Sequence, residues 1–143
     1  MKTIAITILL ILNSIFIFAQ KDEYLKKCYE LLGKKEFSEA INYAQKALYL
    51  DNEDLSVLNT LAWCQLQNKN FNEALQTLLK AQAILPTKPN DNTLPFILSN
   101  LGHSYLLTNN YQKAMQVYNE NSKYELNGKK WFNVILEDLV LLN

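Results

Sequence analysis

Residues 58–86 read LNTLAWCQLQNKNFNEALQTLLKAQAILP. Leu58, Leu61, Ala62 and Leu66 recur at the three- and four-residue spacing of one helical face. A polar break follows at Asn68-Lys69-Asn70, and the spacing resumes with Phe71, Ala74, Leu75, Leu78 and Ala81. Asn70 with Glu73 three residues later predicts a capping box at the start of the second helix. Asn at such a break suits the left-handed conformation of a tight turn, and Lys suits it less well. The stretch predicts two amphipathic helices joined by a short turn.

The same arrangement stands on either side. Before it come Tyr24, Cys28 and Leu31-Leu32, the break Lys34-Lys35-Glu36, then Phe37, Ala40, Ala44 and Ala47. After it come Leu98, Leu101-Gly102 and Tyr105, the break Thr108-Asn109-Asn110, then Tyr111, Ala114 and Val117. Ala40, Ala74 and Ala114 stand 34 and then 40 residues apart. The six extra residues fall in Pro86–Pro95, the Pro-rich stretch, which predicts a lengthened loop. Small residues at these positions let two helices cross closely, where a larger side chain would overpack the crossing by about 1–3 kcal/mol. One such pair cannot bury its own apolar face, so three stacked pairs supply a core.

With these residues the chain resembles the tetratricopeptide repeat family. Leu101-Gly102 with Tyr105, Tyr111 and Ala114 match the family pattern, as do Leu61-Ala62, Phe71, Ala74, Ala81 and Pro86. The first repeat departs from it with Lys27-Cys28 where Leu-Gly is usual, and the third with Asn121 where a second Ala is usual. The resemblance implies an all-α, right-handed α-α superhelix of three helix pairs, over about 21–54, 55–88 and 95–128. A C-terminal helix over about 129–142 follows. Trp131, Val134, Ile135 and Leu139 would cover the third repeat, with Glu137 and Asp138 outward. Phe132, Leu136, Val140 and Leu141 leave this helix apolar nearly all round. It reads as a cap whose outer face could pair with a second copy of the chain.

Upstream, MKTIAITILLILNSIFIFAQ (residues 1–20) carries one early lysine, a run of mostly apolar residues and Ala19 before Gln20. That is the layout of a secretory signal peptide, which predicts removal of 1–19 and a repeat domain over 20–143. The product would be periplasmic or extracellular. The alternative is an uncleaved membrane anchor, against which stand the short run and its interruption by Asn13 and Ser14. Without 1–19 the chain has no stable membrane insertion.

The whole chain of 143 residues holds 14 lysines, no arginine and 14 acids, for a net charge of zero. Nothing there recommends nucleic acid as a partner, and bidentate phosphate recognition is arginine's role. The single histidine excludes a His-pair metal site, and three glycines cannot build a phosphate loop. The acids, including Asp51, Glu53 and Asp54, read as solvated. Cys28 and Cys64 read as core fillers rather than a disulfide or a nucleophile paired with His103. The expectation is no enzyme, no metal and no cofactor.

The resemblance instead implies recognition of a protein or peptide segment in a groove lined by the first helix of each pair. Tyr29, Trp63 and His103 occupy equivalent inward positions, flanked by Leu25, Leu32, Asn59, Leu66, Gln67, Phe96, Ser99 and Leu106. Aromatic bodies with polar tips are favoured contact residues. The alternative for Tyr29 and Trp63 is packing between neighbouring helices, and for His103 a hydrogen-bonded structural role. The family variant that clamps a C-terminal carboxylate uses Lys, Asn and Arg where this chain has Leu25, Tyr29, Thr60 and Asn100, so that activity does not carry over. An adaptor is the first reading. An inhibitor or immunity-type protein for one secreted enzyme or toxin is the second.

Overall fold

The computed structural model describes residues 2–88, 91–126 and 128–142. Within them run seven helices: α1 (Lys2–Gly33), α2 (Phe37–Leu50), α3 (Leu55–Gln67), α4 (Phe71–Ile84), α5 (Leu94–Leu107), α6 (Tyr111–Asn121) and α7 (Trp131–Leu141). Consecutive helices pack as pairs, α1 with α2, α3 with α4 and α5 with α6, and each pair stacks on the next. The result is the all-α solenoid that the periodicity implies. The long loop opens with a 3-10 turn at Leu85–Thr87 and is pinned where Lys88 Nζ donates to the Glu53 carbonyl at 2.7 Å. Residues 89 and 90 of that loop, and the side chain of Phe132, lie outside the described residues. A short antiparallel hairpin, β1 (Glu125–Leu126) and β2 (Lys129–Lys130), precedes α7, with Gly128 at φ +76° in its turn.

The three breaks share one geometry. Lys35, Lys69 and Asn109 all adopt left-handed backbone, with φ of 61°, 63° and 64°. After each, the next residue's N–H reaches back five positions: Glu36 to Leu31, Asn70 to Gln65 and Asn110 to Tyr105, at 2.8–2.9 Å. These are Schellman turns, which satisfy the last carbonyls of the first helix of each pair. Lysine at two of the left-handed positions is the less expected finding. The turn's hydrogen bonds hold it there against the steric cost of a Cβ. Lys69→Gly is therefore expected to stabilise the chain by about 0.5–1 kcal/mol, read as a raised Tm. The predicted capping box is not made. Asn70 starts α4 with no side-chain cap, because its Oδ1 accepts from Asn68 Nδ2 at 3.2 Å.

The side chains of residues 3–19 are exposed along α1, and the helix continues unbroken past Gln20 into the first repeat. By length and composition this helix could cross a membrane. The repeat fold takes hold at Lys21, which is buried and reaches Asp54 at 2.5 Å and Asp51 at 3.3 Å. Asp54 also caps α3, accepting from the N–H groups of Ser56 and Val57 at 2.9 and 3.1 Å. This corrects the reading of Asp51 and Asp54 as merely solvated: a lysine thirty residues upstream gathers them.

Burial works against the Lys21 charge, but the hydrogen bonds and charges of Asp54 and Asp51 outweigh it and hold its pKa above the ordinary value. Burial also opposes the Asp54 charge, yet Lys21 and the backbone donors of Val57 and Ser56 hold that carboxyl below its ordinary value. The signs set two arms. Stability from Asp54 is present above its unfolded pKa of about 4 and is lost as pH falls through the lower folded value. Stability from Lys21 is present below about 10.5 and is lost as pH rises through the higher folded value. Asp54→Asn keeps the cap but removes the charge. Its Tm is expected to fall less steeply below about pH 4 than that of the unaltered chain, in melts run across pH.

The core is continuous between pairs. The largest cluster joins Leu58 and Ala62 of α3, Leu78 and Ala81 of α4, Ile97 and Leu101 of α5, and Ala114 and Val117 of α6. A second joins the first two repeats through Cys28, Leu31, Ala40, Ala44, Leu61 and Cys64. The two cysteine sulfurs touch there at 3.5 Å, fully buried, and the contact together with burial pushes the Cys64 thiol up. Gly102 lies against the Tyr118 ring, where a Cβ would collide with the ring atoms.

α7 departs from a plain end cap. Trp131 and Ile135 are buried and Val134 and Leu139 half-buried, as the cap reading requires. Asp138, expected to point outward, turns inward to 3.5 Å from His103 Nε2. Leu142, just past the helix, packs with Leu66 and Ala74 of the second repeat. Leu136, Val140 and Leu141 remain exposed on the outer side.

Candidate functional site

The first helices of the three pairs share one cleft of about 470 Å³. α1 supplies Tyr29; α3 supplies Ser56, Asn59, Thr60 and Trp63; α5 supplies Phe96, Ser99 and Asn100. Asn92 and Thr93 of the long loop and Asp138 of α7 complete the lining. Helical spacing puts 56, 59, 60 and 63, and likewise 96, 99 and 100, on single stripes of their helices.

Side-chain bonds across the helices set the floor. Tyr29 Oη and Thr60 Oγ1 meet at 3.0 Å, tying α1 to α3. Asn100 Nδ2 donates to Asn59 Oδ1 at 2.9 Å, tying α3 to α5. The Phe96 ring stands edge-on to Trp131, centroids 4.9 Å apart at 86°. Asp138 is the one charged lining residue among those described. The cleft therefore offers aromatic surface, amides and hydroxyls, with a single carboxylate at one end.

Residues 31–90 and 97–120 match two models of the tetratricopeptide repeat, together more than half of the chain. This chain belongs to the tetratricopeptide repeat family. A protein described as a STIP1 homolog from Dictyostelium discoideum is 29% identical over 87 residues, which make up 60% of this chain. The match spans only 15% of that relative's length. Tetratricopeptide repeats support a role in protein–protein interaction.

Of the residues that the repeat phase singles out, Tyr29, Asn59, Trp63, Phe96 and Ser99 meet in the cleft. Tyr29 is 53% exposed and Phe96 39%, so both offer free ring surface. Trp63 is half-buried, with its far side packed near Leu66 and Leu142. Leu25 lies beside a shallower hollow with Asp22, Lys26 and Glu30. Two placements correct the reading of the groove. Leu66 is 1% exposed because it lies under Leu142, and His103 is fully buried. Of the flanking residues, Leu32 and Leu106 back onto the cores and Gln67 is half-buried.

His103 is a structural hub rather than a lining residue. Its Nδ1 lies 2.9 Å from Tyr118 Oη and its Nε2 lies 3.2 Å from Ser99 Oγ, besides the Asp138 contact. Burial, and then the Asp138 charge, push the Tyr118 pKa up, which keeps the phenol protonated. The ring thus holds Tyr118 on one nitrogen and Ser99 and Asp138 on the other. Sequence reasoning missed Ser56, Thr60, Asn92, Thr93, Asn100 and Asp138 as lining. A signal existed for Thr60 and Asn100, since they hold the places of the family's carboxylate-clamp residues. Asp138 could have been found on the Trp131–Ile135–Asp138 stripe, where it shares the buried face of its helix.

Proposed function

We propose that this chain is an exported, non-catalytic adaptor whose cleft holds a segment of a partner protein. The observation that carries the reading is the meeting of Tyr29, Trp63 and Phe96 with the Asn59–Asn100 amide pair in one open cleft. Rings with exposed faces supply contact area at low entropic cost, and amides offer donors and acceptors to a backbone. A near-uncharged lining favours a segment rich in apolar and aromatic side chains. No partner class based on phosphate is favoured, given the chain's charge balance and lack of arginine. Among the described residues no group of His, Cys, Asp and Glu is placed to hold a metal ion, and the one histidine is engaged in the core. Export is supported by the apolar residues 3–19, which contribute nothing to the buried core of the repeats.

The test uses Tyr29→Ala, which removes an exposed ring without opening the core. Capture of the native partner is expected to weaken roughly tenfold or more, with Tm lowered by no more than about 5 °C through loss of the Tyr29–Thr60 bond. Capture at full strength would overturn the groove reading. The mass of the mature protein from its native cells tests export: it is expected to begin at Gln20, and an intact N-terminus in a membrane fraction would favour the anchor. A single tight, stoichiometric enzyme or toxin in the captured material would identify an inhibitor instead.

A further inference from the structure

α7 presents one inward stripe, Trp131, Ile135, Asp138 and Leu142, at the spacing of a single helical face. Its contacts reach beyond the third repeat. Trp131 lies against Phe96 at the start of α5, Asp138 against His103 midway, and Leu142 against Leu66 at the end of α3. A cover for the last pair needs only α5 and α6. This segment instead crosses the inner side of the solenoid, and its Asp138 borders the cleft that remains open. The occupied and open parts of the groove are continuous.

The fit is serviceable but incomplete. The Trp131 indole Nε1–H is buried without an acceptor, which weakens the docking of α7 relative to a fully bonded occupant. Leu136, Val140 and Leu141 on its other side stay bare. The groove floor is more exacting. His103 Nε2, its ring anchored from below by Tyr118, lies beside Ser99 Oγ where α7 supplies the Asp138 carboxylate. Phe96 offers a ring and Leu66 an aliphatic floor.

We propose that α7 is a built-in occupant of the groove, and that the partner's docking element is an amphipathic helix that displaces it. That helix carries an aromatic residue, a carboxylate seven positions later and a leucine four positions after that. This rests on the groove reading above and names its ligand. Tethering gives α7 an effective concentration in the millimolar range, so a free helix of the same pattern competes only when the tethered copy is weakened or the newcomer fits better.

The probe is a fluorescein-labelled peptide of residues 128–143, titrated against the full chain and against the full chain carrying Asp138→Asn and Leu142→Ala. The weakened chain is expected to bind the peptide at least tenfold more tightly than the unaltered chain. A peptide with its own Asp138 position changed to Asn is expected to lose at least tenfold. Equal binding to both chains, or binding to neither with helicity intact, overturns the inference. Hydrogen exchange on the unaltered chain gives a second reading that does not depend on the variant folding. Amides of α7 are expected to exchange at least tenfold faster than those of α5, and equal protection overturns the inference. If Tyr29→Ala loses the native partner while the peptide binds neither chain, the groove reading stands and only the α7 inference falls. If Tyr29→Ala keeps the partner, the groove reading itself falls.

Discussion

Gly102→Ala is expected to melt about 10 °C below the unaltered chain, although alanine is the better helix former by about 1 kcal/mol. The methyl group would enter the space filled by the Tyr118 ring, which is ring edge rather than the free end of a flexible chain. Relieving that overlap costs about 1–3 kcal/mol. It also draws the Tyr118 hydroxyl from His103 Nδ1, leaving a buried ring nitrogen unpaired at a further 1–3 kcal/mol or so. Set against the gain in propensity, the net loss is about 3 kcal/mol. The partner residue supplies the control. In a Tyr118→Ala background the space is free, so Gly102→Ala becomes neutral or slightly stabilising. Melting curves of the two single variants and the double variant check both statements.

Leu78→Ala is expected to cost about 3 kcal/mol and to spoil the single melting transition. Leu78 is fully buried in the cluster that joins the second and third repeats. Solenoid stability is a sum of repeat terms and nearest-neighbour interfaces, so a cavity here strikes the coupling as well as the repeat. The two sides should then unfold separately. Far-ultraviolet dichroism, which reads every helix, and the fluorescence of Trp63 and Trp131 are expected to give non-coincident transitions. Coincident curves would mean the coupling survives through other contacts.

The helix pairs were legible because their signal is local. A 34-residue phase, two apolar stripes per unit and a small residue at each crossing describe the pairs without reference to any neighbour. What lay beyond reach concerned which neighbour comes to rest on a face. Repeat phase puts His103 in register with Tyr29 and Trp63, but periodicity cannot tell that Tyr118 and α7 close over it. Leu66 is three residues from Trp63, close enough in angle to share its stripe, and Leu142 decides its fate from seventy-six residues away. The Lys21–Asp54 pair also spans a long stretch of sequence, 33 residues, so an acid that reads as solvated is gathered by a distant cation. At Lys35 and Lys69 the local rule was overridden by the turn's own hydrogen bonds. The cleft was thus legible along α1, α3 and α5, and illegible where α7 enters it.

α1 runs without a break from Lys2 to Gly33, so its apolar half and its repeat half share one axis. Along such a rod each residue adds about 1.5 Å of rise and about 100° of rotation. The compass bearing of Tyr29, and of the cleft behind it, is therefore keyed to the apolar half by residue count alone. Inserting a single alanine near Gln20 would swing the cleft by about 100° relative to that half while leaving the Lys21 clasp on Asp51 and Asp54 intact. While the two halves stay joined, whatever grips the first dictates the direction in which the second faces.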